Sequence, residues 1–191
     1  MPAPPREMCP FTELELAQAC EAWVSLDVEM AGVALFLART GLRWSEAVEL
    51  RVKDFAETPD PVITVSRAKS KCFKVKPPKH GRIRRVWLED RVAEYLKRHA
   101  EGKGPEDLIL PKLRRDNFVR RLNYKETSGG RTIHELRHTY ATILITRGVK
   151  VETLSEWMGH KSTVTTSKIY VHSLGAEENR RVIAKLNEQR R

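Results

Sequence analysis

Two apolar segments with capping residues open the chain. In "TELE" at 12–15, Thr12 occupies an N-cap position and Glu15 stands three residues on, a reciprocal capping pair that predicts a helix to about Trp23. A second apolar helix, "VEMAGVALFLART", stops at Gly41, a residue suited to a left-handed C-terminal position. Ser45 is placed to cap a short helix, "EAVELRV". The pattern then changes. "DFAETPDP" is turn material, "VITVS" alternates as a strand, and "FKVK" and "IRRVWL" flank a Pro-Pro-Lys-His-Gly turn. Residues 62–88 therefore read as a small antiparallel sheet of three strands. Helical periodicity returns in "EDRVAEYLKRHA", which ends at Gly102, and in "NFVRRLN", capped by Asp116. After a "TSGG" loop, a long helix over about 134–147 ends at Gly148, and "VETLSEWM" ends at Gly159. The last segment, "GAEENRRVIAKLNEQR", is a polar amphipathic helix that needs a surface to dock on. The fold class is mainly α (α+β): a single compact helical domain with a small three-stranded antiparallel sheet inserted, and no repeats.

At 191 residues the chain is long enough to bury a core in one large domain or two small ones. It has no apolar run of membrane-spanning length, and "MPAPPREMCPF" lacks the apolar region of a signal peptide. The cysteines Cys9, Cys20 and Cys72 show no C-x-x-C spacing, which suits a reducing compartment and gives neither a disulfide scaffold nor a cysteine-built metal site. The net charge of +10 is unevenly spread. Residues 1–60 hold five Lys or Arg against eleven Asp or Glu, and the remainder hold thirty against fourteen. From Arg67 to Arg85, both included, there are nine Lys or Arg and no acidic residue, and "PKLRRDNFVRRLNYK" follows at 111–125. Like charges so concentrated repel one another unless a polyanion neutralises them, which makes nucleic acid the leading partner. The cations expected to contact it are Lys69, Lys71, Lys74, Lys76, Arg82, Arg84, Arg114 and Arg115, touching phosphates more than bases.

Residues 134–138, "HELRH", match the H-E-x-x-H pattern of zinc peptidases. That chemistry needs a third protein ligand and an open position for water. The metzincin extension would require Gly at 141 and His at 144, where the chain has Ala141 and Leu144; Glu152 or Glu156 could be recruited instead. Against zinc stands Arg137, a permanent cation on or near the face that carries His134 and His138. The same pair of types suits a phosphodiester better. A guanidinium forks onto two oxygens, and an imidazole moves a proton near neutral pH.

Four separated motifs, "ARTGLRWSEAVEL", "HELRHTYAT", "WMGH" and "TTSKIYVH", together resemble the ordered boxes of the tyrosine recombinases, or phage integrase family, over about residues 12–186. On this resemblance "HELRH" corresponds to the family's H-x-x-R box and Glu135 is incidental. The resemblance implies that Arg43 and Arg137 grip the scissile phosphate and that Tyr170 is the nucleophile. It implies an acid/base role for His134 and a phosphate hydrogen bond from His160. Lys79 would protonate the leaving 5′-oxygen, with Lys69 and Lys71 as rivals in the same hairpin. Glu46 would orient an active-site side chain, and His138 matches a common supporting position. No metal and no cofactor are implied.

The resemblance further implies a site-specific recombinase that cleaves and rejoins double-stranded DNA through a 3′-phosphotyrosyl intermediate without ATP. The partner would be duplex DNA, with a tetramer on paired sites for the full-length protein and a monomer for the isolated domain, and no membrane. The location would be cytoplasmic and nucleoid-associated, in a bacterial or phage-type setting. Residues 1–191 would be the catalytic domain, with a core at about 12–175 and a terminal helix at about 176–189 that packs on a neighbouring protomer or folds back. The N-terminal core-binding domain of the family is expected to be absent. Tyr170 lies ten positions after His160, one more than is usual in the family, and the β-branched, polar "KSTVTT" reads as a loop that absorbs it. The competing reading is a non-catalytic DNA-binding relative that uses the same basic groove. A covalent adduct through Tyr170 separates the two.

Overall fold

The computed structural model describes residues 8–70, 74–78 and 83–159. The chain divides into two compact units, Met1–Tyr140 and Ala141–Arg191.

In the first unit, α1 (Glu13–Leu26) starts at Thr12, whose hydroxyl accepts from the Glu15 N–H at 3.2 Å while the Glu15 carboxylate accepts from the Thr12 N–H at 2.8 Å. α2 (Val28–Thr40) follows almost without a break, because Asp27 ends one helix and caps the next through Met30 N–H. It ends at Gly41 in the left-handed conformation, φ +62°. The fully buried Trp23 of α1 anchors the core. Its ring stacks on Tyr124 at 5.4 Å, meets Phe11 edge-on at 6.0 Å, and its indole N–H donates to Thr127 Oγ1 at 2.8 Å. Such aromatic packing combines apolar burial with a satisfied polar tip.

The expected Ser45 cap does not form. α3 (Trp44–Ala47) begins two residues earlier, with Arg43 at the N-cap position and the Glu46 carboxylate accepting the Arg43 N–H at 2.8 Å. The sheet also differs in membership. Its strands are β1 (Phe55–Ala56), β2 (Val62–Val65) and β5 (Arg84–Trp87), in the order β1-β2-β5 and antiparallel throughout. β1 arises within the stretch read as turn material. "FKVK" instead contributes β4 (Val75–Lys76) to a separate two-stranded ribbon with β3 (Ala68–Lys69).

α4 (Asp90–Ala100) runs to Glu101 and Gly102. α5 (Arg115–Arg121) is preceded by Arg114 rather than capped by Asp116, which lies in its first turn. A short α6 (Tyr124–Thr127) follows Asn123, whose φ of +44° turns the chain between the two helices. α7 (Ile133–Thr146) carries the "HELRH" stretch. In the second unit, α8 (Val151–Met158) ends at a left-handed Gly159. No described helix is long and apolar enough to cross a membrane.

Candidate active site

Arg43 sits where α2 has stopped and α3 has not yet turned. Its extended backbone (φ −70°, ψ 147°) follows the left-handed Gly41 by two residues. Trp44 fastens this corner by packing on Phe118 of α5, ring centroids 5.1 Å apart. α5 also carries the exposed Arg115, with exposed Arg114 just before it.

Glu46, 2 % exposed, is the hub. Its Oε1 accepts from Arg43 Nη1 at 3.0 Å and from Arg84 Nη1 at 3.0 Å, and its Oε2 accepts from Arg84 Nη2 at 2.7 Å and from the Arg43 N–H at 2.8 Å. A carboxylate offers about four acceptor positions, so all are filled. Burial by itself would raise the Glu46 pKa, but the hydrogen bonds and charge of Arg84, followed by the Arg43 N–H and guanidinium, outweigh it and hold the group down at about 2. Arg84, expected among the DNA-contacting cations, is instead buried and forked onto this carboxylate. Its position on β5 explains why. Arg84 and Val86 share the inward face while Arg85 and Trp87 point out.

Arg137, buried on α7, donates from Nη1 to the Gly41 carbonyl at 2.6 Å. That bond ties α7 to the turn that presents Arg43. One helical turn on, the Tyr140 ring closes over Gly41, where an added Cβ would overlap the ring and stand 2.9 Å from Cε1. Gly41 is thus required twice, by its positive φ and by the close approach of Tyr140. Thr139 on the same helix accepts the Phe11 N–H at 2.9 Å, linking it to the start of the chain.

His134 is exposed and meets His138 edge-on, ring centroids 4.7 Å apart. His138 is buried, and its pKa falls to about 4, chiefly through burial and then through the neighbouring His134 and Arg137. Among the described residues, no three His, Cys, Asp or Glu side chains gather as a metal site.

The remaining basic residues divide into two kinds. Lys74 and Lys76 are exposed on the ribbon. Lys69, half-buried, lies 3.9 Å from the buried Glu49, and Arg67 is bonded to Asp54. Glu49 also takes Arg51 Nη2 at 3.0 Å. Part of the basic run is therefore neutralised within the fold. Lys71, Lys79, Arg82, His160, Tyr170 and the terminal helix lie outside the described residues.

The Gly41–Tyr140 contact and the Arg84 fork were not read from sequence. Period-two alternation in "IRRVWL" does place Arg84 on the Val86 face, which is the signal that identifies its burial.

The model of the phage integrase family matches residues 8–177. The tyrosine recombinase XerA of Saccharolobus solfataricus is 32% identical over 138 residues, covering 71% of this chain and 43% of that protein. The tyrosine recombinase XerC of Mesorhizobium japonicum is 33% identical over 159 residues, covering 78% and 48%. The chain thus spans less than half the length of these relatives. The solved structure of the Tn1549 transposon integrase in complex with a circular intermediate DNA superposes with a TM-score of 0.74 at 20% identity, covering 94% of this chain and 68% of that one. At that identity the likeness speaks for the fold.

Proposed function

Because the chain belongs to the phage integrase family, we propose that it is the catalytic domain of a site-specific DNA recombinase, residues 1–191 in extent. The observation that carries this reading is the corner at Gly41. Arg137 bonds its carbonyl, and Arg43 leaves the same turn two residues later, so two guanidiniums are held to one short piece of backbone. Positive charge fixed in advance is what a phosphoryl transition state with negative charge spread over its oxygens requires.

In this reading the Tyr170 phenolate attacks the scissile phosphorus. A tyrosyl O–P bond forms at the 3′ side, the bond to the 5′-oxygen breaks, and Lys79 protonates that oxygen. His134 serves as acid/base toward the reacting groups, and His160 donates to a phosphate oxygen. The phosphotyrosine conserves the energy of the broken linkage, so attack by another 5′-hydroxyl completes strand exchange without ATP. Burial, as the main cause, pushes the Tyr95, Tyr124 and Tyr140 phenols above their ordinary range, which makes each of them harder to ionise than an exposed tyrosine.

The partner is duplex DNA, contacted through Lys74, Lys76, Arg114 and Arg115, which are exposed, and through Lys71 and Arg82. The working assembly is a tetramer on two duplexes, and the protein acts where the DNA is, in the cytoplasm of a bacterial or phage-type host. The test uses nicked duplexes with randomised flanks, in which cleavage beside the nick releases a short piece and traps the intermediate. A covalent protein–DNA band that forms in EDTA and disappears with Tyr170→Phe supports the proposal. Salt-sensitive binding without any band points instead to a regulatory DNA-binding protein.

A further inference from the structure

Among the described residues Glu46 is the one carboxylate bonded to Arg43, its Oε1 accepting from Nη1 at 3.0 Å. A closed, forked Arg43–Glu46 pair would satisfy Arg43 within the protein and withdraw it from any anion. Arg84 prevents this. Its own fork occupies one position on each carboxylate oxygen, at 3.0 and 2.7 Å, and the Arg43 N–H occupies another on Oε2. What remains for the Arg43 side chain is a single bond from Nη1 to Oε1. Among the described residues its Nε and Nη2 make no hydrogen bond, and the side chain is 20% exposed. The charges agree with the geometry. Two guanidiniums share one carboxylate, so the cluster keeps a net positive charge, which a lone Arg43–Glu46 pair would lack.

We infer that Arg84 is a positioning residue: by holding Glu46 in its own fork, it leaves Arg43 bound through one nitrogen only, with the rest of its guanidinium directed to a phosphate oxygen. The inference rests on the recombinase reading for its consequence, but the arrangement itself is testable without it. Because Arg84 stands on the strand leaving the basic hairpin, the same bond also fastens that hairpin's base to α3, the helix that Arg43 precedes.

Two measurements test it. The first is a crystal structure of R84Q, in which Arg43 is expected to close both prongs on Glu46. If Arg43 keeps its single bond, the inference is overturned. The second is the single-turnover rate of adduct formation on the nicked duplex, with melting temperatures recorded alongside. R84Q is expected to slow it at least tenfold. R84K keeps the charge but lacks the planar fork, and is not expected to restore the rate. The double variant R84Q/E46Q is expected to be faster than R84Q, because the carboxylate that captures Arg43 is gone. A merely structural role predicts the reverse, with two losses that accumulate. R84Q within twofold of the parent, or full rescue by R84K, would also overturn the inference. If R84Q does not fold, R84K serves for the crystal comparison. If the parent chain forms no adduct, the recombinase reading fails while the position of Arg43 in the R84Q crystal still decides the role of Arg84.

Discussion

Replacing Gly41 by alanine should damage the fold more than the same change at another left-handed glycine. Gly41 and Gly102 both have positive φ, +62° and +72°. They differ in what surrounds them. At Gly102 nothing lies within 4 Å of an added Cβ, whereas at Gly41 that atom would collide with the Tyr140 ring. Gly102→Ala therefore carries only the conformational penalty of a left-handed alanine, about 1–2 kcal/mol. Gly41→Ala carries that penalty plus the cost of forcing a buried ring aside, about 1–3 kcal/mol more. Tyr140 lies one turn beyond Arg137 on α7, so the displacement should also strain the 2.6 Å bond from Arg137 to the Gly41 carbonyl. Urea unfolding of the parent and both variants at pH 7 measures the two losses on one scale. The reasoning requires Gly41→Ala to exceed Gly102→Ala by at least about 1 kcal/mol. Equal losses would refute it, because Tyr140 would then be shown to yield without cost.

Acid should weaken the fold in two steps. Above pH 6.5 His138 is neutral folded or unfolded; below it the unfolded chain takes the proton first, removing roughly 3 kcal/mol by pH 4, and His138→Gln should flatten urea-derived stability over that window. Glu46, held down at about 2 in the fold, contributes stability that is present above about pH 4.5 and is lost as pH falls toward 2, a second slope that His138→Gln leaves in place. Arg137→Lys should slow adduct formation roughly 10²–10³-fold in the nicked-duplex assay while the circular dichroism spectrum is kept, since an ammonium cannot fork onto two phosphate oxygens. Thr127→Val removes the acceptor of the buried Trp23 N–H and should lower stability by about 1–3 kcal/mol in urea melts.

The helices were legible because their ends carry chemistry. Thr12 with Glu15, and the glycines at 41, 102, 148 and 159, mark boundaries that the structure reproduces closely. Short elements were not. β1 has two residues and draws its existence from pairing with β2, and α6 has four and depends on a left-handed Asn123, so neither leaves a period to read. Ser45 lost the cap of α3 because Glu46, on the third residue of the helix, reaches back to the Arg43 N–H. In the site, residue types and order pointed to Arg43, Glu46, His134 and Arg137, since each belongs to a compact motif. The partner of Glu46 was hidden by its surroundings: Arg84 lies in an unbroken basic run, where charge alone suggests solvent and only strand alternation reveals an inward face. Burial of a charge depends on a carboxylate 38 residues away, which no local pattern records.

The most direct test of the account is peptide mass spectrometry of the trapped protein–DNA species. The chain is incubated at high concentration with the nicked duplex in EDTA, and the product is digested with nuclease and protease. The account predicts a nucleotide joined through its 3′-phosphate to Tyr170 and to no other residue. A nucleotide on any other side chain, or none on Tyr170 when the DNA is fully bound, would contradict it.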